Sequence, residues 1–88
     1  MVTARTAVLM TMSYLMDYIG KDEIIFDQPL GLVQSTEEIS AVRRNADGRI
    51  EVLSKDGGDW LGMGFMAVED ILAVATEVSY RKGYNEKS

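Results

Sequence analysis

The chain contains no cysteine, no histidine and a single proline, and each shortage excludes something. Without cysteine there is no disulfide staple and no thiol nucleophile. Losing histidine as well removes the usual ligands of a structural zinc. Histidine is also the commonest general base and pH switch, so catalysis would have to rest on carboxylates, Lys, Ser, Thr or Tyr. Positive charge is scarce too: nine Lys and Arg stand against fourteen Asp and Glu, a net charge of −5, which opposes a phosphate backbone over the surface as a whole. Long apolar runs are missing. The longest nonionic stretch, residues 6–16, follows Arg5 and stops at Asp17. It is too short to span a bilayer, and it lacks the small-residue cleavage pattern of a signal peptide. A cytoplasmic protein with no membrane segment is the expectation.

What remains is 88 residues that are 47% hydrophobic and 26% charged. That is the composition of a soluble globular protein with one domain, over residues 1–84 with a frayed tail at 85–88. A chain this short buries roughly 60–65% of its unfolded surface, so its core is marginal. With disulfides and zinc excluded, the available reinforcement is a second chain.

Residues 3–19 carry a helical pattern: Val8, Met12, Leu15, Met16 and Ile19 share one face, and Gly20 supplies the stop. Ala7, Met10, Tyr14 and Tyr18 add a second apolar flank, leaving Thr6, Ser13 and Asp17 as a thin polar strip. A helix so apolar on most sides needs cover from more than one direction. Residues 21–35 turn extended, with Pro29 demoting them to an edge strand or to two short strands joined by a bend. Residues 38–44 and 49–55 form a hairpin through Asn45-Ala46-Asp47-Gly48, where Gly48 takes the positive φ that a type I turn with a bulge demands. Ile50 and Val52 share its inner face, opposite Arg49, Glu51 and Leu53. A further turn at residues 56–59 leads to a short strand containing Trp60 and Leu61. Residues 66–82 predict a second helix on Val68, Ile71, Leu72, Ala75 and Val78, with Glu69 and Asp70 in its first turn and Arg81, Lys82 and Gly83 at its end. The order is that of a two-layer α+β domain: an N-terminal helix, a three- to four-stranded antiparallel β-meander and a C-terminal helix.

The candidate chemistries are thin. Gly62-Met63-Gly64-Phe65-Met66-Ala67 matches the G-x-G-x-x-A dinucleotide pattern between a strand and a helix, but too little chain follows for a second parallel strand. Asp56 with Asp59, and Asp22, Glu23 and Asp27, lack the alternating acids and distal Glu of a calcium loop. Turn formation explains the Asp-Gly pairs without a ligand. No catalytic residue, cofactor site or metal site is therefore assigned. Arg43, Arg44, Arg49 and Lys55 form the only basic concentration, a possible nucleic-acid patch; the hairpin strands carry no aromatic to stack on bases, which counts against it. Five of the six methionines fall in two clusters, Met10, Met12, Met16 and Met63, Met66, and Tyr14 with Tyr18 and Tyr80 with Tyr84 are i, i+4 pairs. Methionine and tyrosine suit surfaces that accept partners. The expectation is a non-enzymatic interaction or assembly domain, a homodimer or a partner of another protein, whose contact residues are Ala7, Met10, Tyr14, Tyr18, Met63 and Met66. One alternative is a small regulatory or nucleic-acid-binding module built on the basic residues, and a second is a minimal enzyme or ligand carrier with a pocket near Gly57 to Gly64.

Overall fold

A computed structural model describes residues 3–79. Helix α1 spans Ala4–Ile19. Thr3 N-caps it, its Oγ1 accepting from the Thr6 N–H at 3.1 Å, and Gly20 closes it in the left-handed conformation, φ 81°. Strands β1 (Glu23–Gly31), β2 (Glu38–Arg44), β3 (Ile50–Ser54) and β4 (Leu61–Gly62) make one antiparallel sheet in the order β1-β2-β3-β4. A short 3-10 turn, Met63–Phe65, leads into helix α2, Val68–Glu77. The α+β meander expected from the sequence is the observed fold.

Local chemistry accounts for the turns. The Asn45 side chain accepts from the main-chain N–H groups of Asp47 (2.9 Å) and Arg49 (3.0 Å), and Gly48 sits at φ 83°, the conformation that makes glycine the favoured residue there. Pro29 lies on an edge strand, as its missing N–H requires. Strand β1 is continuous and not two pieces. The bend is absorbed as an irregularity in register, with residues 26–29 of β1 facing the single Ser40 of β2. Ser40 Oγ in turn donates to the carbonyls of Leu53 and Ser54 at 3.3 Å each.

One face of the sheet carries the core. Ile24 and Phe26 from β1, Ile39 and Val42 from β2, and Ile50 and Val52 from β3 meet Met12 and Met16 of α1 and Ile71 and Val74 of α2. The alternation expected for β3 is present: Ile50 and Val52 are buried, Glu51 and Leu53 are not. Met12 and Met16 are fully buried, each contributing roughly 1.5–3 kcal/mol of transfer free energy. Two details of the second helix differ from the sequence pattern. It begins at Val68 and not at residue 66, because Met66 and Ala67 are extended after the 3-10 turn. Its buried stripe is Ile71 and Val74, continued by Val78 at the C-cap, and Leu72, expected in the core, is exposed beside it. The expected helix end at Arg81, Lys82 and Gly83, the Tyr80–Tyr84 pair and the tail at 85–88 lie outside the described residues.

Two polar ties complete the assembly. Asp70, in the first turn of α2 and 2% exposed, accepts through Oδ1 from the main-chain N–H groups of Val33 (2.6 Å) and Gln34 (2.8 Å). The β1–β2 connection is thereby pinned to the helix start. Arg44 joins the end of α1 to β2. Its guanidinium donates to Ser13 O (3.3 Å) and to Asp22 Oδ1 (2.7 Å), and it stands 2.6 Å from Asp17 Oδ1. Hydrogen bonding to Asp22, then to Asp17, raises its pKa above the ordinary arginine value. Asp70→Ala is expected to cost about 2 kcal/mol, because two N–H groups lose a carboxylate acceptor. Urea denaturation reads this as a lower midpoint at constant slope; an unchanged midpoint would show that the loop and helix hold without the tie.

Candidate interaction surface

The two helices cover the sheet with their inner stripes and leave their outer faces bare. On α1 this outer flank consists of Ala7, Met10, Tyr14 and Tyr18, at successive helical turns. Met10 is 62% exposed, Tyr14 77% and Tyr18 79%. Thr11 lies among them, and no charged side chain interrupts the flank from Ala7 to Tyr14. The flank exists because α1 is only partly used: Met12 and Met16 are buried over the sheet, Val8, Leu9, Leu15 and Ile19 pack partly against the same core, and Ala7, Met10, Tyr14 and Tyr18 face the other way.

Two grooves border this flank. One, of about 350 Å3, runs between the outer faces of α1 and α2 and is lined by Tyr14, Leu15, Tyr18, Leu72 and Ala75. The other, of about 510 Å3, lies between the first half of α1, the hairpin tip and the 3-10 turn, with Met10, Arg49, Ile50 and Phe65 in its wall. Phe65 is 94% exposed. It is the residue that sequence reasoning missed. Its position within a glycine-rich hexapeptide directed attention to phosphate binding, whereas the structure makes that hexapeptide a strand end, a 3-10 turn and the approach to α2.

The expected contact residues divide. Ala7, Met10, Tyr14 and Tyr18 share one exposed face, as their spacing requires. Met63 does not belong with them: it is fully buried in the core cluster, because the 3-10 turn folds it under α1 while projecting Phe65 outward. Met66 is half-buried and packs against the core from its edge. The four basic residues do not form one patch with free charge. Arg43 pairs with Glu51 at 2.9 Å and stacks 4.2 Å above the Trp60 ring. Arg44 is committed to Asp17 and Asp22, and Lys55 lies 3.4 Å from Glu38. Arg49 is exposed at the hairpin tip, where it lines the groove beside Met10.

Among the described residues no group of three or more Asp, Glu, His or Cys is placed to hold a metal ion, and no helix is long and apolar enough to cross a membrane. No family model matches the chain, and neither a curated protein nor a solved structure matches it. Function therefore has to be argued from these surfaces alone.

The division between core and surface methionines is measurable. Met63→Ala should cost about 3 kcal/mol in chemical denaturation through the cavity it leaves; a variant as stable as the parent would place Met63 on the surface after all. Arg44→Gln should cost about 1 kcal/mol, the modest value of partly exposed ion pairs, and a neutral result would remove Arg44 as the tie between α1 and β2.

Proposed function

We propose that this protein is a small, non-enzymatic interaction or assembly domain of the cytoplasm that acts as a homodimer through the outer face of α1. The observation that carries this is the exposed flank of Met10, Tyr14 and Tyr18, free of charge from Ala7 to Tyr14. Aromatic side chains present roughly 150–250 Å2 each. With Tyr14, Tyr18 and Phe65 mostly in solvent, and Met10 and Leu72 beside them, the apolar surface on this side amounts to about 600–800 Å2. That exceeds the few hundred Å2 a monomer commonly exposes and approaches the roughly 800 Å2 per partner of a standard interface. A second copy also supplies what a short chain without disulfide or zinc lacks, since association adds to the stability of the folded state. Tyrosine and methionine provide large contact area with adaptable shape, which favours a face built for contact over one that is merely poorly covered.

The alternative, a regulatory or nucleic-acid-binding module using Arg43, Arg44, Arg49 and Lys55, has less support, because three of these four cations already face carboxylates. It would gain ground from a salt-sensitive mobility shift of mixed RNA or DNA that Arg49→Glu and Lys55→Glu abolish.

Sedimentation equilibrium at micromolar concentration should give twice the 9.8 kDa chain mass, and Tyr14→Lys should return it to a single chain with an unchanged circular dichroism spectrum. A 9.8 kDa species from the unaltered protein would overturn the homodimer.

A further inference from the structure

A third groove, of about 570 Å3, opens on the other side of Phe65, and no residue of α1 lines it. Its floor is Ile39 and Val52, both belonging to the core. One wall is the β1–β2 connection, with Leu32, Gln34 and Glu37; the opposite wall is Trp60, Leu61 and Phe65; the end is closed by Ala67 and Asp70 at the start of α2. Leu61 and Phe65 stand exposed at its mouth. The volume is that of a small-molecule site, and an apolar floor with a few convergent polar groups is the usual construction of one.

The polar groups have one sign. Among the described residues the ionisable side chains in the lining are Glu37 and Asp70, with no Lys or Arg. The positive end of α2 reaches the same wall, but Glu69 and Asp70 answer it within the first turn. Asp70 is the informative member. Its Oδ1 takes both loop N–H groups, while Oδ2 has no described hydrogen-bond donor. Asp70 is 2% exposed and lines this groove, with Oδ2 the carboxylate oxygen that has no described donor. The Glu37 carboxylate, at the rim, accepts from Ser54 Oγ at 3.3 Å.

We propose that this groove binds a small organic cation, a primary ammonium carried on an apolar body. The ammonium donates to Asp70 Oδ2, with Glu37 adding attraction at the rim, and the apolar body lies over Ile39 and Val52 between Leu32 and Leu61. Phe65, exposed at the mouth, gives it an aromatic ring that favours a cation or an aryl group over an anion, while the Trp60 ring already carries the Arg43 guanidinium at 4.2 Å. Carboxylate ligands are excluded by the same two acids.

Octylamine, 1-octanol and octanoate share a chain and differ in the head, so they test this directly. In 15N-labelled protein, octylamine should shift the main-chain amides of Val33 and Gln34 and the Trp60 indole N–H, and bind about tenfold more tightly than 1-octanol, the difference a charge-assisted hydrogen bond makes. Octanoate should be weakest. Asp70→Asn keeps an oxygen for the two loop N–H groups and removes the charge; it should bring octylamine down to the level of 1-octanol. Glu37→Gln, at the exposed rim, should weaken octylamine by about two- to threefold and serves as the charge test if Asp70→Asn does not fold. Octylamine binding no tighter than octanoate, shifts confined to other residues, or an affinity indifferent to both substitutions would overturn the proposal. The Tyr14→Lys single chain should keep the octylamine shifts at Val33 and Gln34, so that failure of the dimer and failure of this site are read separately.

Discussion

Everything in this structure depends on covering one face of a four-stranded sheet. Six branched or aromatic side chains from β1, β2 and β3 form that face, and the chain has two helices with which to shield it. Met12 and Met16 do most of this for α1, Ile71, Val74 and Val78 for α2. Methionine is apt here, because an unbranched side chain adapts to the gaps left by a twisted sheet. The cost of the arrangement appears on the opposite sides of the helices. A two-layer domain has no third layer, so any apolar residue outside the inner stripe faces solvent.

Polar contacts then decide where the two helices sit. Asp70 fixes the start of α2 against the β1–β2 connection, and Arg44 fixes the end of α1 against β2. Both are charged groups spent on position. For Arg44 this removes a cation from any ligand surface. For Asp70 the outcome is different, since Oδ1 takes both loop N–H groups, Oδ2 has no described donor, and the residue lines the end of a groove. The same carboxylate therefore connects the architecture of the loop to the chemistry that the groove can offer.

Much of the fold was legible because its signals are local. The stop at Gly20, the turn at Asn45 to Gly48 and the alternation of Ile50 and Val52 each follow from backbone chemistry or from the period of a strand. The apolar flank of Ala7, Met10, Tyr14 and Tyr18 was legible for the same reason: helical spacing alone sets those residues apart from Met12 and Met16. What escaped was tertiary. Met63 and Phe65 are two residues apart and both apolar, and only the 3-10 turn between strand and helix sends one into the core and the other into water. Val74 and Leu72 differ in the same way, because the rotation of α2 against the sheet is set by packing and by Asp70. The ion pairs of Arg43, Arg44 and Lys55 join residues brought together by strand pairing or by the fold, which a run of basic letters cannot reveal. The groove beside Phe65 draws its walls from the β1–β2 connection, β4 and α2, and has no signature in any one segment.

The absence of cysteine, which first removed a stabiliser from consideration, now makes the dimer face open to a clean probe. A single spin label can be placed at Met10→Cys, on the exposed flank, with no competing thiol anywhere in the chain. Pulsed dipolar spectroscopy of the labelled protein measures the distance between the labels of two copies directly. Packing through the outer face of α1 predicts a short, narrow intermolecular distance that disappears on dilution with a large excess of unlabelled protein. A sample in which labels at this position show no dipolar coupling would contradict the account.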